Sequence, residues 1–217
     1  MVANVDSSRR PVIGTLPPES IAAAAKLLAG SMRDNPLHQQ VFAGDEARLE
    51  PLLATAFARL LRRQMRSGHV LGAWEDGVLV GVAAMVAPGC CQPDLREQLA
   101  MLPLLARART LRRLPWIAHW LRIWARHDPA FDHWHLGPAA VDRSRQRQGI
   151  GSALMAAVCE RLDGVGGVGY LETDKPENVR LYRRGGFEVI AAQPVLGARN
   201  WFMLRQPAPA PPTTRLS

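Results

Sequence analysis

The chain is short of nearly everything that would mark it as a membrane, secreted or metal-binding protein. Although 47% of its 217 residues are hydrophobic, no charge-free apolar run reaches the roughly 18 residues a membrane span needs. The start, Met1-Val2-Ala3-Asn4-Val5-Asp6, lacks the basic stretch and apolar run of a secretory signal. Cysteine is limited to Cys90, Cys91 and Cys159. Adjacent Cys90 and Cys91 do not readily bridge each other, an odd count argues against a disulfide framework, and the spacing fits no metal-ligand pattern. A cytoplasmic chain with no metal is the expectation. Lysine is almost missing as well, so the net charge of +8 comes almost entirely from arginine. Such basicity raises nucleic-acid binding. The arginines, however, are scattered over several predicted helices, with no zinc-finger spacing and no RNA-binding aromatic motif. A solvated basic surface plus a site for a polyanionic ligand is the simpler reading, with neither nucleic acid nor membrane as partner.

The length allows one good core, and a single domain over residues 11–205 is expected. Residues 1–10 read as loose, and the Pro/Ala-rich tail 206–217 as disordered. Pro11 to Leu16 reads as a short strand, and Pro17-Pro18-Glu19-Ser20 as a helix start, followed by a turn at Asp34-Asn35-Pro36. A second helix runs from about Asp45 or Pro51 to Met65, its start blurred by a proline that suits a first turn but not an interior. His69–Trp74 and Val78–Met85 around Asp76-Gly77 read as a β-hairpin. Helices follow over roughly 93–109 and 115–127, the second carrying Trp116, Trp120 and Trp124 at four-residue spacing. That stripe reads as core packing or a dimer contact, with a pocket wall as the sharper alternative. Phe131–Val141 reads as a strand splayed or bulged at Gly137-Pro138. Next come a helix over 151–163, a strand over Val168–Thr173, a helix over Pro176–Arg184 closed by Gly185-Gly186, and strands over Phe187–Ala191 and Asn200–Arg205.

The informative stretch is Val141 to Leu154, where a strand passes through an Arg/Gln/Gly turn into an amphipathic helix. Such a turn aims unpaired N–H groups and the positive end of a helix dipole at one point. Gly149 and Gly151 let a bulky anion reach the main chain, Arg145 and Arg147 add charge, and Ser152 stands in the first turn. The pattern describes a pyrophosphate cradle. A dinucleotide fingerprint needs a third small residue where Leu154 stands, and a Walker loop needs a lysine before Ser152. Gln146-x-x-Gly149-x-Gly151 remains. A splayed strand beside it would leave backbone groups of Ala139 and Val141 free for an extended ligand arm.

That pattern, taken with Trp134-His-Leu136, Tyr170-Leu-Glu-Thr173, Asn178, Leu181-Tyr182-Arg-Arg-Gly-Gly-Phe187 and Asn200-Trp-Phe-Met203, resembles the GNAT superfamily of N-acetyltransferases, and within it the puromycin N-acetyltransferase-like branch. The likeness covers about residues 131–205; the first half matches only loosely, near Asn35-Pro36 and at the hairpin ending in Pro88-Gly89. It implies the acetyltransferase fold, an α/β architecture with a central mixed, mostly antiparallel sheet and helices on both faces. It implies acetyl-CoA as cosubstrate, in a V-shaped gap between the strands ending at Val141 and Thr173. By the same implication the loop Gln146, Arg147, Gln148, Gly149, Ile150 and Gly151 holds the pyrophosphate, Asn178 meets the pantetheine arm and Tyr182 faces the sulfur. Arg147 stands where glycine is common, and Gly185 where leucine is usual.

Acetyl transfer to an amine needs a base for the ammonium, a polarised thioester carbonyl and an acid for the departing thiolate. Tyr182, a phenol protonated at neutral pH, is the candidate acid; its structural alternative is packing beside Phe187. Glu172, a carboxylate in an otherwise apolar strand, is the candidate base, directly or through a water; its alternative is an ion pair with an arginine. His133 and His135 are further proton carriers, although strand histidines usually sit at the surface. Three functions stay open: transfer to a small-molecule amine, transfer to a protein or peptide amine, and a non-catalytic acyl-CoA-binding module.

Overall fold

The computed structural model describes residues 10–42, 46–92, 99, 103, 106 and 111–208. Seven strands, β1 (Val12–Thr15), β2 (Gly68–Glu75), β3 (Val78–Val86), β4 (Trp134–Val141), β5 (Gly169–Thr173), β6 (Glu188–Val195) and β7 (Ala198–Arg205), form one sheet. Their order is β1-β2-β3-β4-β5-β7-β6. β4 and β5 run parallel, and the other neighbours are antiparallel. The described α-helices are α1 (Ile21–Met32), α2 (Pro36–Phe42), α3 (Glu46–Ser67), α4 (Leu114–His127), α5 (Ile150–Gly164) and α6 (Pro176–Arg184). None is long and apolar enough to cross a membrane. The expected mixed sheet with helices on both faces is what the chain forms.

Local chemistry accounts for the two hairpins. Asp76 and Gly77 both take positive φ, 47° and 80°, the two-residue turn whose twist matches paired strands. Leu196 and Gly197 do the same at 50° and 83°. Here the strands extend beyond the expected Phe187–Ala191 and Asn200–Arg205, because the tight turn lets pairing continue to Val195↔Ala198. Pro194 is tolerated because β6 is an edge strand, with no further neighbour awaiting its N–H.

Side chains of alternate residues divide between two cores. On one face Leu28, Ala29, Leu53, Phe57 and Leu61 of α1 and α3 pack on Val70, Val82 and Ala84. On that same face Leu37 and Ile123 join Tyr170 and Phe202, with Trp120 and Trp124 against them. On the other face Ile150, Leu154, Val158 and Leu162 of α5, with Val179 and Tyr182 of α6, cover Leu71, Ala83, Leu136, Leu171 and Met203. The tryptophan stripe is therefore split. Trp120 and Trp124 meet edge to face at 5.1 Å within the core, while Trp116 is 51% exposed.

Several expectations shift. The turn at Asp34-Asn35-Pro36 opens into α2, with Pro36 in the first position, where a missing N–H costs nothing. α3 begins at Glu46, in keeping with the earlier of the two expected starts, and runs through Pro51; the apolar stripe Leu49, Leu53, Phe57 and Leu61 holds the helix across the lost bond. β4 begins at Trp134, not Phe131, and β5 at Gly169, where the Val168 carbonyl accepts from the Trp134 N–H at 2.7 Å. The expected 93–109 helix and nearly all of the two terminal segments lie outside the described residues. Ala208, inside the expected tail, donates its N–H to Asp163 at 2.7 Å.

Leu162 is fully buried between α5 and the sheet. Leu162→Ala should lower unfolding stability by about 2–5 kcal/mol, read from the urea midpoint at unchanged m-value.

Candidate active site

β4 and β5 pair at only two positions, Trp134↔Gly169 and His135↔Tyr170. Past them β4 stays with β3, through Ala83↔Ala139, Val82↔Ala140 and Gly81↔Val141, while β5 stays with β7 as far as Thr173↔Trp201. The strands part into a V. Its cause is in β4: Met85 faces Leu136 and Ala83 faces Ala139, so Gly137 and Pro138 together oppose Ala84 in a bulge. The backbone beside the V is not wholly free, as the sequence had led us to expect. The Val141 carbonyl accepts from Ser31 Oγ at 2.9 Å and from Gln146 Nε2 at 3.3 Å, and the Gly137 carbonyl accepts from Gln64 at 2.6 Å.

The loop after Val141 is shaped by its own side chains. Asp142 accepts from the Ser144 N–H at 2.9 Å, closing a single 3-10 turn over Arg143–Arg145. Gln148 Nε2 donates to the Ser144 carbonyl at 3.3 Å. Arg147 and Gly149 take φ of 63° and 87°, which lets the chain double back and enter α5. The first N–H groups of α5, from Ile150, Gly151 and Ser152, have no intrahelical acceptor by the geometry of a helix start. Ile150 is buried, so only its backbone serves the loop, and Ser152 is exposed. A Cβ on Gly151 would stand 3.6 Å from Leu181 and 3.7 Å from Val141, ordinary contact, while one on Gly149 would meet nothing but a forbidden φ. Charge is distributed differently from the expectation. Arg145 turns to Glu75 at 3.4 Å, because the β2 turn brings that carboxylate beside it. Arg147 makes no ion pair among the described residues.

Two acidic residues that the sequence did not single out tie the mouth of the V. Asp34 pairs with Arg143 on the β4 side and with Lys175, at 2.9 Å, on the β5 side. Burial alone would raise its pKa, but Lys175 and Arg143 outweigh that and hold the carboxyl below its ordinary value. Buried Asp174 accepts from the Leu37 N–H at 3.2 Å, at the start of α2, and from Asn35 at 3.3 Å. Half-buried Asn178 is held by Thr173 at 3.3 Å. Tyr182 is 9% exposed, with its ring edge-on to Phe187 at 6.2 Å, so the packing role is real. Burial, with the Asp174 charge, pushes the phenol up to about 12, and no described side chain hydrogen-bonds its hydroxyl.

Glu172 does not face an arginine. Its carboxylate, 3% exposed, meets His135 Nε2 at 2.9 Å. It lies on the α4 face of the sheet, next to Tyr170, whereas Tyr182 lies on the α5 face, so the two candidates address the V from opposite sides. The histidines are not surface residues: His133 is 5% exposed, and its Nε2 meets Asp128 at 3.0 Å and Cys91 Sγ at 3.6 Å. Burial disfavours the His135 cation, but the Glu172 charge and the Asp128 carboxylate 3.8 Å from Nδ1 override it and raise that pKa well above the usual value. Burial likewise opposes the Cys91 thiolate, yet the two histidines bring the thiol down to about 7. The spacing Asp128-x4-His133-x-His135 was the available signal; Cys91 arrives only through the fold.

A parallel pair of strands splayed beside a strand-to-helix anion turn, in a sheet of this order, defines an acyl-CoA transferase type of fold. The model of the Acetyltransferase (GNAT) family matches residues 39–187, and the chain belongs to that family. Solved structures agree on the fold. The protein described as histone acetyltransferase HPA2 and related acetyltransferase, from Corynebacterium glutamicum, shares 19% identity over 93% of this chain and 99% of its own, with a TM-score of 0.67. The polyamine N-acetyltransferase of Drosophila melanogaster shares 14% over 90% and 99%, at 0.61. A GNAT family acetyltransferase from Brucella melitensis, in complex with acetyl-CoA, shares 18% over 93% and 91%, at 0.50.

A carboxyl whose folded pKa lies below its unfolded value of about 3.9 adds stability above that value and loses it as pH falls through the folded pKa. Asp34→Asn should therefore lower the melting temperature at pH 7. Asp34 is half exposed, so the cost is about 1 kcal/mol or less. In a pH series of melts the gap between variant and parent should close below about pH 4.

Proposed function

We propose that the protein transfers the acetyl group of acetyl-CoA to the primary amine of a small molecule, directly and within a ternary complex. The observation that carries this is the meeting of the β4–β5 V with the Gln146–Ser152 turn. The V offers a path for an extended acyl-pantetheine arm, and the turn offers convergent N–H groups for a pyrophosphate. Gln146, Arg147, Gln148, Gly149, Ile150, Gly151 and Ser152 hold the phosphates, Ala139 and Val141 line the arm with Asn178 across from them, and Tyr182 stands by the sulfur. The polyamine acceptor of the Drosophila relative supports a small amine, and the order of motifs over 131–205 supports the puromycin N-acetyltransferase-like branch. On this reading the enzyme works in the cytoplasm with neither nucleic acid nor membrane as partner, and exposed Trp116 and Leu121 offer a face for a second copy.

In the reaction Glu172 takes a proton from the ammonium, directly or through a water, and the freed amine attacks the acetyl carbonyl. The C–N bond forms and the C–S bond breaks, the Tyr182 hydroxyl stabilises the departing thiolate by a hydrogen bond, and the second proton of the attacking nitrogen ends on the sulfur as the amide forms. A phenol near 12 is a weaker acid than an ordinary thiol, at about 8.5. Burial raises the pKa of both anions, so the phenol acts by donating a hydrogen bond as negative charge gathers on sulfur. The same elevation keeps it protonated at any working pH.

Acetyl-CoA incubated with the protein and a panel of aminonucleosides, aminoglycosides, polyamines, arylalkylamines and short peptides should release thiol with at least one small amine. Tight cofactor binding without thiol release across the panel would leave the binding-module reading, and turnover confined to peptides would leave the protein acetyltransferase. Tyr182→Phe keeps the packed ring and should cut kcat about 100-fold or more at nearly unchanged acetyl-CoA affinity. Gly149→Val forces a β-branched residue into a left-handed position and should weaken acetyl-CoA binding roughly tenfold, as a cost of about 1–2 kcal/mol implies, measured by calorimetry.

A further inference from the structure

We infer that Cys91, Asp128, His133 and His135 form a zinc site, set on the α4 face where β4 enters the sheet. One ligand atom from each of the four lies within 4.8 Å of the others. The Cys91 sulfur is 3.6 Å from His133 Nε2, that nitrogen is 3.0 Å from Asp128 Oδ1, and the same oxygen is 3.8 Å from His135 Nδ1. A tetrahedral zinc with bonds of about 2.3 Å to sulfur and about 2.0–2.2 Å to nitrogen and oxygen spaces its ligands about 3.6 Å apart along a sulfur–nitrogen edge and about 3.3 Å along a nitrogen–oxygen edge. The three observed edges, 3.6, 3.0 and 3.8 Å, fall within about 0.5 Å of those spacings.

The outer contacts point the same way. His133 Nδ1 donates to the Phe131 carbonyl at 2.8 Å, which leaves its Nε2 lone pair inward. His135 Nε2 is held by Glu172 at 2.9 Å, which turns Nδ1 inward, and that buried Nδ1 has no hydrogen-bond partner. Gln92 holds the other Asp128 oxygen at 3.2 Å. A carbonyl and a carboxylate behind ligating imidazoles are the usual second contacts of protein-bound zinc. One thiolate, one carboxylate and two neutral imidazoles balance a dication, and the mixed sulfur and nitrogen donors suit zinc over calcium or magnesium. Binding displaces to solvent the protons its ligands carry, that of the Cys91 thiol and that of the His135 imidazolium. Four protein ligands close the site, so the ion acts structurally: it joins the segment after β3, the end of α4 and the entrance to β4.

Metal analysis of the full chain, purified without chelator, should find about one zinc per chain. After stripping, cobalt(II) chloride should give tetrahedral d–d bands with a thiolate-to-cobalt charge-transfer band, and zinc sulfate should raise the melting temperature. Cys91→Ser should lose the charge-transfer band while Cys90→Ser keeps it, and Glu172→Gln should weaken zinc affinity about 10–100-fold. His133→Gln provides a second ligand variant should Cys91→Ser fail to fold. Zinc below a tenth of an equivalent with no cobalt spectrum, or a cobalt spectrum that survives Cys91→Ser, overturns the assignment. None of these readouts involves acetyl-CoA, so they stand or fall separately from the transferase reading.

Discussion

The molecule depends on a break in its own hydrogen bonding. Two pairings hold β4 to β5, and beyond them each strand commits to its outer neighbour. A sheet interior with unpaired strand edges is costly, and the chain limits that cost with side chains: Ser31, Gln64 and Gln146 reach in to bond carbonyls of β4. Those three come from α1, α3 and the anion turn, so each neighbouring layer shares in keeping the strands apart. The opening is a property of the whole domain, not of one loop.

Electrostatics at the opening is more restrained than a net charge of +8 would suggest. Arg143, Arg145 and Lys175 are each met by a carboxylate, which leaves the oriented N–H groups and the Arg147 guanidinium as the positive features of the turn. Such dipoles are fixed by the fold and need not reorganise when an anion arrives. Asp34 lies just ahead of the residues that the family model matches, 39–187, yet it bridges both sides of the mouth. That contact links the segment after α1 to the loops that follow β4 and β5.

The second half of the chain was readable because its signals are local. Gly149 before an amphipathic run and Gly185-Gly186 after a helix each act within a few residues of themselves, as Asp76-Gly77 does in the first half, and the α5 and α6 boundaries followed within about one residue, inside the normal uncertainty of helix ends. What stayed hidden was set by distant partners. Nothing near Asp34 announces Arg143 or Lys175, and nothing near Cys91 announces His133. Glu172 was recognisable as an anomalous carboxylate, but an arginine was the obvious partner in so basic a chain, and the parallel register placed His135 there instead. Pro51 left the start of α3 open between Asp45 and itself, and the long apolar stripe decides for the earlier start, at Glu46.

β4 carries the histidine cluster at its entrance and the anion turn at its exit. Eight residues at about 3.3 Å each make a rod some 26 Å long, and an extended backbone has almost no stretch left in it. A small axial slide at one end is thus handed to the other nearly undiminished. The Gly137-Pro138 bulge is the slack in this tie, the one joint where the strand can bow sideways and take up length.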